Sequence, residues 1–287
     1  MSTIDLRRTK LHRFGCTRRN VPVIGQGTWF IDRADRAQAI AALRRGVDLG
    51  MTHIDTAEMY GDAERVIAQA IRGRRDEVFL VSKVLPNHAT RRGTLQACER
   101  SLARLETDRL DCYLLHWRGE QPLAETVAAF DQLRREGKIL AWGVSNFDVP
   151  DLEELAMIAD GDCVACNQVL YHLKERAIEH DVLPWCEQHD IAVVAYAPFG
   201  HGEFVSPRTA AGRILAEIAA AHRATPRKVG LAFLTRRPSL FAIPKAASPR
   251  HIEENAGAGA LRLSHEDVDR IDRAFPLGPR PNGLPMI

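Results

Sequence analysis

The sequence predicts a (β/α)8 barrel, a TIM barrel in which eight parallel strands alternate with helices, and three observations support this prediction. Eight short apolar runs recur at intervals of about 30 residues, the length of one strand–helix unit. Each run is continuously apolar, which is typical of strands buried on both faces of a parallel sheet. Polar side chains also lie at the ends of several runs, where barrels of this class carry their chemistry.

The predicted barrel strands are the eight apolar runs, at residues 23–27, 53–57, 78–84, 110–116, 140–145, 164–170, 191–197 and 240–244. Before them, residues 10–23 alternate polar and apolar side chains around Gly15, which predicts a short N-terminal β-hairpin. The whole chain, residues 1–287, is therefore interpreted as a single barrel domain.

Helix signals separate these runs. Glycines at 50, 73 and 137 are expected to end helices, and Thr225-Pro226 and Ser248-Pro249 to begin them. Two helices are expected in the seventh crossover. Ser264-x-x-Asp267 resembles a capping box and predicts an extra helix late in the chain.

The composition is that of a soluble globular protein, with 45% hydrophobic and 26% charged residues. A net charge of +2, from 39 basic and 37 acidic groups, argues against a nucleic-acid-binding surface. No apolar run approaches the roughly 18 residues of a membrane helix. The first residues lack the apolar segment of a secretory signal. A cytoplasmic monomer without membrane or nucleic-acid partners is the expectation.

Six cysteines scattered through a large chain favour a reducing compartment. Cys163-x-x-Cys166 is the one suggestive pair. A structural zinc site needs four ligands, and a thioredoxin-type motif should open a helix, whereas this pair leads into a predicted strand. Both cysteines are therefore interpreted as packing residues, and no metal site is expected.

Four residues at or near the ends of three successive predicted strands suggest proton-transfer chemistry: Asp55, Tyr60, Lys83 and His116. The phenol of Tyr60, with an ordinary pKa near ~10, needs a neighbouring cation to act near neutral pH. Lys83 could lower that pKa, and Asp55 could keep the lysine charged. His116 could hydrogen-bond a substrate carbonyl. The set suits protonation of a carbonyl oxygen while a second group delivers hydride.

Other interpretations stay open. Taken alone, His116 is more typical of a core or rim residue and Lys83 of a solvated cation. Lys83 could also form a Schiff base in a barrel lyase or isomerase, or the chain could be a cofactor-binding regulatory subunit without turnover. Glu58 is interpreted as a structural loop residue.

A hydride carrier requires a cofactor site. The Gly25-x-Gly27 segment lacks the third glycine and the following unit of a dinucleotide fingerprint. A barrel offers another phosphate site where the last strand meets a helix N-terminus, and residues 243–251 carry basic and capping side chains there.

Over residues 9–275 the chain resembles the aldo-keto reductases, which are NAD(P)H-dependent carbonyl reductases. The resemblance rests on six motifs: His-Ile-Asp-Thr-Ala-Glu-Met-Tyr-Gly (53–61), Val-Ser-Lys-Val (81–84), Leu-Leu-His-Trp (114–117), Gly-Val-Ser-Asn-Phe (143–147), Asn-Gln-Val (167–169) and Ile-Pro-Lys (243–245). Residues 25–29 and 167–172 look most like a bacterial branch that reduces methylglyoxal and other small aldehydes.

The resemblance implies a role for each matching residue. Tyr60 would be the general acid, Asp55 and Lys83 would tune it, and His116 would orient the carbonyl. The implied cofactor-binding residues are Gly27, Thr28, Ser145, Asn146, Gln168, Tyr196, Lys245, Ser248, Arg250, His251, Glu254 and Asn255. The implied walls of the substrate pocket are Trp29 and Trp117.

The chain departs from the family pattern at Ala246, where a serine is usual, and at His251, where an arginine is usual. Lys245, Ser248 and Arg250 could still hold a 2′-phosphate, so NADPH is favoured and NADH stays possible. The tail after Phe275 is short and is expected to add little wall to the pocket.

Overall fold

The computed structural model describes residues 10–159, 163–202 and 204–287. Strands β1 (Leu11–Arg13) and β2 (Asn20–Pro22) pair antiparallel and form the predicted N-terminal hairpin. Its connection contributes Phe14, whose ring contacts Phe79 and Phe241 at centroid distances of 4.8 and 5.0 Å. Phe14 and Val21 pack with these interior residues, so the hairpin closes the amino-terminal end of the barrel.

The eight predicted barrel strands are all present, in the predicted order. They are β3 (Gln26–Gly27), β4 (His53–Asp55), β5 (Phe79–Val84), β6 (Cys112–Leu115), β7 (Trp142–Ser145), β8 (Val164–Leu170), β9 (Ala192–Tyr196) and β10 (Leu240–Ala242). Each pairs in parallel with its neighbours in the chain. Parallel bridges from Ile24 to Ala242 and from Gly27 to Lys245 join the first barrel strand to the last. The prediction of a (β/α)8 barrel is confirmed.

Gly27 is required by this closure. A Cβ atom at Gly27 would lie 2.5 Å from the carbonyl oxygen of Ile243, a separation that no side chain could adopt. The backbone N–H of Gly27 donates to the carbonyl of Pro244 at 3.3 Å. The glycine therefore lets the first and last barrel strands approach each other. It is also the last residue of β3, at the mouth of the barrel.

Ten α-helices occur in the described part of the chain. They are α1 (Arg36–Asp48), α2 (Ala63–Ala70), α3 (Arg91–Leu105), α4 (Leu123–Arg135), α5 (Val149–Ala159), α6 (Val182–Gln188), α7 (Ala210–Ala221), α8 (Pro226–Leu234), α9 (Pro249–Ala256) and α10 (His265–Ala274). Thr225 and Ser248 cap α8 and α9 with their side chains, and Ser264 and Asp267 form the predicted capping box. None of these helices is long and apolar enough to cross a bilayer.

The cysteines differ from the prediction. Cys163 is not a packing residue, because it forms a disulfide with Cys16, which lies 147 residues earlier in the chain. Cys166 does pack, as a buried free thiol inside the barrel. The bond ties the hairpin connection to the residue before β8. The pairing of Cys163 with Cys16 could not be inferred from local spacing, because a disulfide requires only that its two cysteines are close in space. Among the described residues, no cluster of three or more His, Cys, Asp or Glu side chains could hold a metal ion.

Candidate active site

A buried ion pair lies at the carboxyl end of the barrel. Asp55 ends β4, and its Oδ1 accepts a hydrogen bond from Lys83 Nζ at 2.5 Å. Lys83 also donates to the Thr56 carbonyl at 2.7 Å, while Gln168 donates to the other Asp55 oxygen at 2.7 Å. The side chains of Lys83 and Asp55 are 0% and 1% exposed. Each charge therefore depends on the other rather than on water.

The ion pair keeps Lys83 protonated. Burial alone would lower the pKa of this ammonium, but the neighbouring Asp55 carboxylate and Tyr60 outweigh burial and raise its pKa. Burial raises the pKa of Asp55, an effect that Lys83 and Gln168 oppose. A Schiff-base lysine must lose its proton before it attacks a carbonyl. The geometry therefore counts against the lyase or isomerase alternative.

Tyr60 lies on the loop between β4 and α2, above this ion pair. Its N–H donates to the Ala57 carbonyl at 3.0 Å, and Gly61 follows with a left-handed φ of 54°, so the loop folds back over the barrel. Lys83 Nζ is 5.1 Å from the centre of the Tyr60 ring. Burial raises the pKa of the phenol, and the opposing effect of Lys83 does not cancel it. Lys83 therefore lowers the Tyr60 pKa as predicted, but burial, which was not predicted, has the larger effect and raises the net pKa, so Tyr60 is a protonated phenol at neutral pH.

His116 follows β6 and is buried beside Tyr60, with 5.7 Å between the ring centroids. Burial and, secondarily, the Lys83 charge lower its pKa to about 2. The imidazole is therefore neutral across the physiological range and can offer one N–H to a substrate oxygen. Asn146 donates to the backbone carbonyl of His116 at 3.1 Å and steadies this position.

Three further predicted residues lie at the ends of the next strands. Ser145 Oγ donates to the Gln168 carbonyl at 2.8 Å, joining the ends of β7 and β8. The Tyr196 hydroxyl, at the end of β9, donates to Asn146 Oδ1 at 2.9 Å. Asn146 adopts a left-handed φ of 59°, which turns the chain at the strand end. Hydroxyl, amide and aromatic groups thus meet at one side of the site.

These residues line a single cavity of about 640 Å³. The predicted residues that border it are Gly27, Thr28, Trp29, Asp55, Tyr60, His116, Trp117, Ser145, Asn146, Gln168, Tyr196 and Lys245. The Thr28 hydroxyl donates to the Asp55 carbonyl at 2.8 Å, which links the first strand end to the ion pair. Lys83 lies beneath this surface and acts through its neighbours.

Sequence reasoning missed several residues that line the same cavity: Phe30, Met59, Phe199, His201, Phe204, Arg227, Met286 and Ile287. The His201 ring lies 5.0 Å from Trp29. Most of these residues belong to loops, where no periodicity indicates which way a side chain points. Gly200 and Gly202, on either side of His201, have positive φ values of 70° and 95°, which glycine adopts readily in a tight turn. They are the local sequence signal that this loop turns back.

The tail contributes only its last two residues to the cavity lining, in agreement with the prediction that it adds little wall. Met286 and Ile287 line the cavity, and the backbone of Ile287 hydrogen-bonds to the Tyr196 hydroxyl.

Of the predicted phosphate and adenine residues, only Lys245 lines the cavity, and the others belong to helix α9 or its N-cap. Ser248 caps α9 and accepts the His251 N–H at 3.4 Å, and Arg250 and His251 are exposed on its first turn. Glu254 accepts a hydrogen bond from the Thr225 hydroxyl at 2.5 Å, and Asn255 is buried.

Glu58 has the structural role that was predicted for it. Its Oε1 accepts the Leu85 N–H at 2.7 Å and contacts His88 Nδ1 at 2.9 Å, so it holds the loop after β5.

Comparison with known proteins agrees with this geometry. The chain is 44% identical over 272 residues to methylglyoxal reductase YeaE of Escherichia coli, covering 93% of this chain and 96% of that protein. It is 33% identical to glyoxal reductase of Bacillus subtilis, covering 92% and 94%. A crystal structure of an aldo/keto reductase from Klebsiella pneumoniae, in complex with NADP and acetate, superposes with a TM-score of 0.91 at 48% identity, covering 97% of this chain and 100% of that one. The sequence model of the Aldo/keto reductase family matches residues 23–275. The chain therefore belongs to the aldo/keto reductases, a family of oxidoreductases.

Proposed function

We propose that this protein uses NADPH to reduce small aldehydes and 2-oxoaldehydes, such as methylglyoxal, to alcohols, with Tyr60 as the general acid. One observation carries the proposal. A protonated phenol lies above a buried, hydrogen-bonded Lys83–Asp55 pair and beside a neutral His116, at the floor of an apolar cavity.

The residues around Tyr196 fit a nicotinamide ring. A carboxamide needs both a hydrogen-bond donor and an acceptor, and Ser145, Asn146 and Gln168 present hydroxyl and amide groups at one wall. The aromatic ring of Tyr196 offers a flat surface next to them. Bound NADPH supplies the hydride for the carbonyl carbon. The bound NADP of the Klebsiella pneumoniae relative supports this choice of cofactor.

The other end of the cofactor would lie toward α9. We assign Lys245, Ser248, Arg250 and His251 to the 2′-phosphate and Glu254 and Asn255 to the adenine, while Gly27 and Thr28 approach the cofactor through their backbone. Lys245, which lines the cavity, and Arg250, on the first turn of α9, are exposed cations, which supports NADPH over NADH.

The proton comes from Tyr60. Its raised pKa keeps the phenol protonated at neutral pH, so it can donate to a carbonyl oxygen as negative charge develops there. The nearby Lys83 ammonium stabilises the phenolate that remains. Neutral His116 donates a hydrogen bond that orients the same carbonyl oxygen.

The proposed substrate class rests on the residues that wall the cavity and on the names of two similar proteins. Trp29 and Trp117 border an apolar space next to the acid, and two similar proteins are named for the reduction of methylglyoxal and glyoxal. We further propose a cytoplasmic monomer. The four free buried thiols support a reducing compartment, whereas the Cys16–Cys163 disulfide is the observation that opposes it.

Replacement of Tyr60 by phenylalanine tests the mechanism. We expect NADPH oxidation with methylglyoxal to fall by about 100-fold or more, since the general acid contributes roughly 10²–10⁴-fold. Fluorescence titration should show that this variant still binds NADPH, because the cofactor contacts are intact. Wild-type turnover in Tyr60→Phe would refute the assigned role, and a wild-type protein that binds no nicotinamide cofactor would refute the function itself.

A further inference from the structure

One cation in the cavity has no role in the proposed reaction. Arg227 is the second residue of α8, and it is exposed and lines the cavity together with Lys245. No carboxylate among the described residues pairs with its guanidinium within 4.0 Å. The only carboxylate side chain in the described lining is Asp55, which is paired with Lys83. Arg227 and Lys245 thus have no ion-pair partner among the described residues.

The position of Arg227 is defined from two sides. Its guanidinium carbon lies 5.2 Å from the ring centre of Phe199 and 5.1 Å from that of Phe204, on the loop that follows β9 and Tyr196. Two residues before it, the Thr225 hydroxyl donates to Glu254 of α9 at 2.5 Å. Arg227 thus lies between the loop after Tyr196 and helix α9.

A nicotinamide dinucleotide carries a negatively charged diphosphate between its two nucleosides. Under the proposed function, its nicotinamide ring lies at Tyr196 and its adenosine near α9, so the diphosphate must cross the part of the cavity between them. Arg227 lies in this part, and guanidinium groups bind phosphate oxygens through paired hydrogen bonds. The two phenyl rings restrict the side chain without neutralising its charge.

We propose that Arg227 binds the cofactor's diphosphate, and thereby contributes equally to the binding of NADPH and NADH. Lys245 and the first turn of α9 would instead distinguish the two cofactors through the 2′-phosphate. This inference rests on the proposed function, because it requires a nicotinamide dinucleotide in the cavity.

The test is fluorescence titration of the purified protein with NADPH, NADH and ADP-ribose, which carries the diphosphate without nicotinamide. In Arg227→Met, which keeps an apolar stem over the phenyl rings but removes the charge, we expect affinity for all three to fall by roughly 10- to 100-fold. The ratio of NADPH to NADH affinity should stay within about twofold of wild type, and Arg227→Lys should recover part of the loss. Arg223→Met, at an exposed arginine outside the cavity lining, is the matched control and should bind like wild type.

Two results would overturn the inference. Wild-type affinity in Arg227→Met would mean that the arginine only packs on Phe199 and Phe204. A loss confined to NADPH would mean that it contacts the 2′-phosphate. Both are distinct from failure of the proposed function, in which the wild-type protein itself would bind neither NADPH nor NADH.

Discussion

Burial shifts the pKa values of Tyr60 and His116 at the floor of the cavity, whereas in Lys83 the neighbouring Asp55 and Tyr60 outweigh the effect of burial. Tyr60 is a protonated phenol because its pKa is raised, and His116 is a neutral imidazole because its pKa is lowered to about 2. Lys83 stays charged because Asp55 offsets its burial. The site therefore holds a proton donor, a neutral hydrogen-bond donor and a fixed cation over the same pH range.

This arrangement predicts the pH dependence of reduction. Since neither Tyr60 nor His116 changes protonation near neutrality, kcat/KM for an aldehyde should be nearly constant from about pH 5 to pH 9. Above that range it should fall as Tyr60 loses its proton. Initial rates with NADPH in buffers of constant ionic strength measure this profile.

The variant His116→Asn provides the control for that profile. It should be slower than wild type at every pH because an amide orients the carbonyl less well, but its profile should have the same shape. An acid limb with an apparent pKa near 6.5 in wild type that disappears in His116→Asn would mean that the imidazole titrates during turnover, contrary to the prediction.

At the scale of elements, the N-terminal hairpin is fixed by packing and by one covalent bond. Phe14 fills the amino-terminal end of the barrel, and the Cys16–Cys163 disulfide ties the hairpin connection to the start of β8. The bond closes a loop of about 147 residues, so it restricts the unfolded chain strongly. Its effect should appear in stability rather than in catalysis, because the active site lies at the opposite end of the strands.

Removal of the disulfide is predicted to destabilise the fold. In the chain-entropy account, Cys16→Ser should lower the free energy of unfolding by up to about 5 kcal/mol in the absence of reductant. Urea unfolding with and without dithiothreitol measures the difference, and Cys163→Ser should match Cys16→Ser. The activity of the folded variants should equal that of wild type. If reductant leaves the wild-type transition unchanged, the bond does not form in solution.

The elements themselves were largely predictable, whereas the loops were not. Strand β8 occupies the predicted residues because its apolar run is buried on both faces, and Thr225, Ser248 and Ser264 cap helices as expected. Asp55, Lys83 and His116 were found because strand ends meet at one edge of the barrel. Phe199 and Arg227 had no such signal, because their convergence depends on tertiary structure. The lowering of the Tyr60 pKa by Lys83 was predicted, but the larger, opposite effect of burial was not, because the burial of a loop residue is not visible in the sequence.

At the scale of the whole molecule, the interior holds another neutral histidine, which takes no part in the proposed reaction. His53 is the first residue of β4, with 0% exposure, and its ring packs edge-on against Phe14 and Phe79 at 5.7 and 5.5 Å. Neither ring nitrogen has a hydrogen-bond partner among the described residues. Burial, with a smaller contribution from the Lys83 charge, lowers its pKa to about 3.

This buried imidazole predicts a loss of stability in mild acid. Below about pH 6.5 the unfolded chain binds a proton at His53 that the folded chain does not bind until about pH 3. Lowering the pH from 7 to 5 therefore favours the unfolded state, by roughly 2 kcal/mol from this residue alone. Urea unfolding of wild type and His53→Leu at both pH values isolates the contribution. The variant should lose about 2 kcal/mol less than wild type over this interval, with unchanged m-values as the control for a preserved fold. Equal losses in the two proteins would show that His53 is already protonated in the folded barrel at pH 5, which would require a polar contact or water at ring nitrogens that have no hydrogen-bond partner among the described residues.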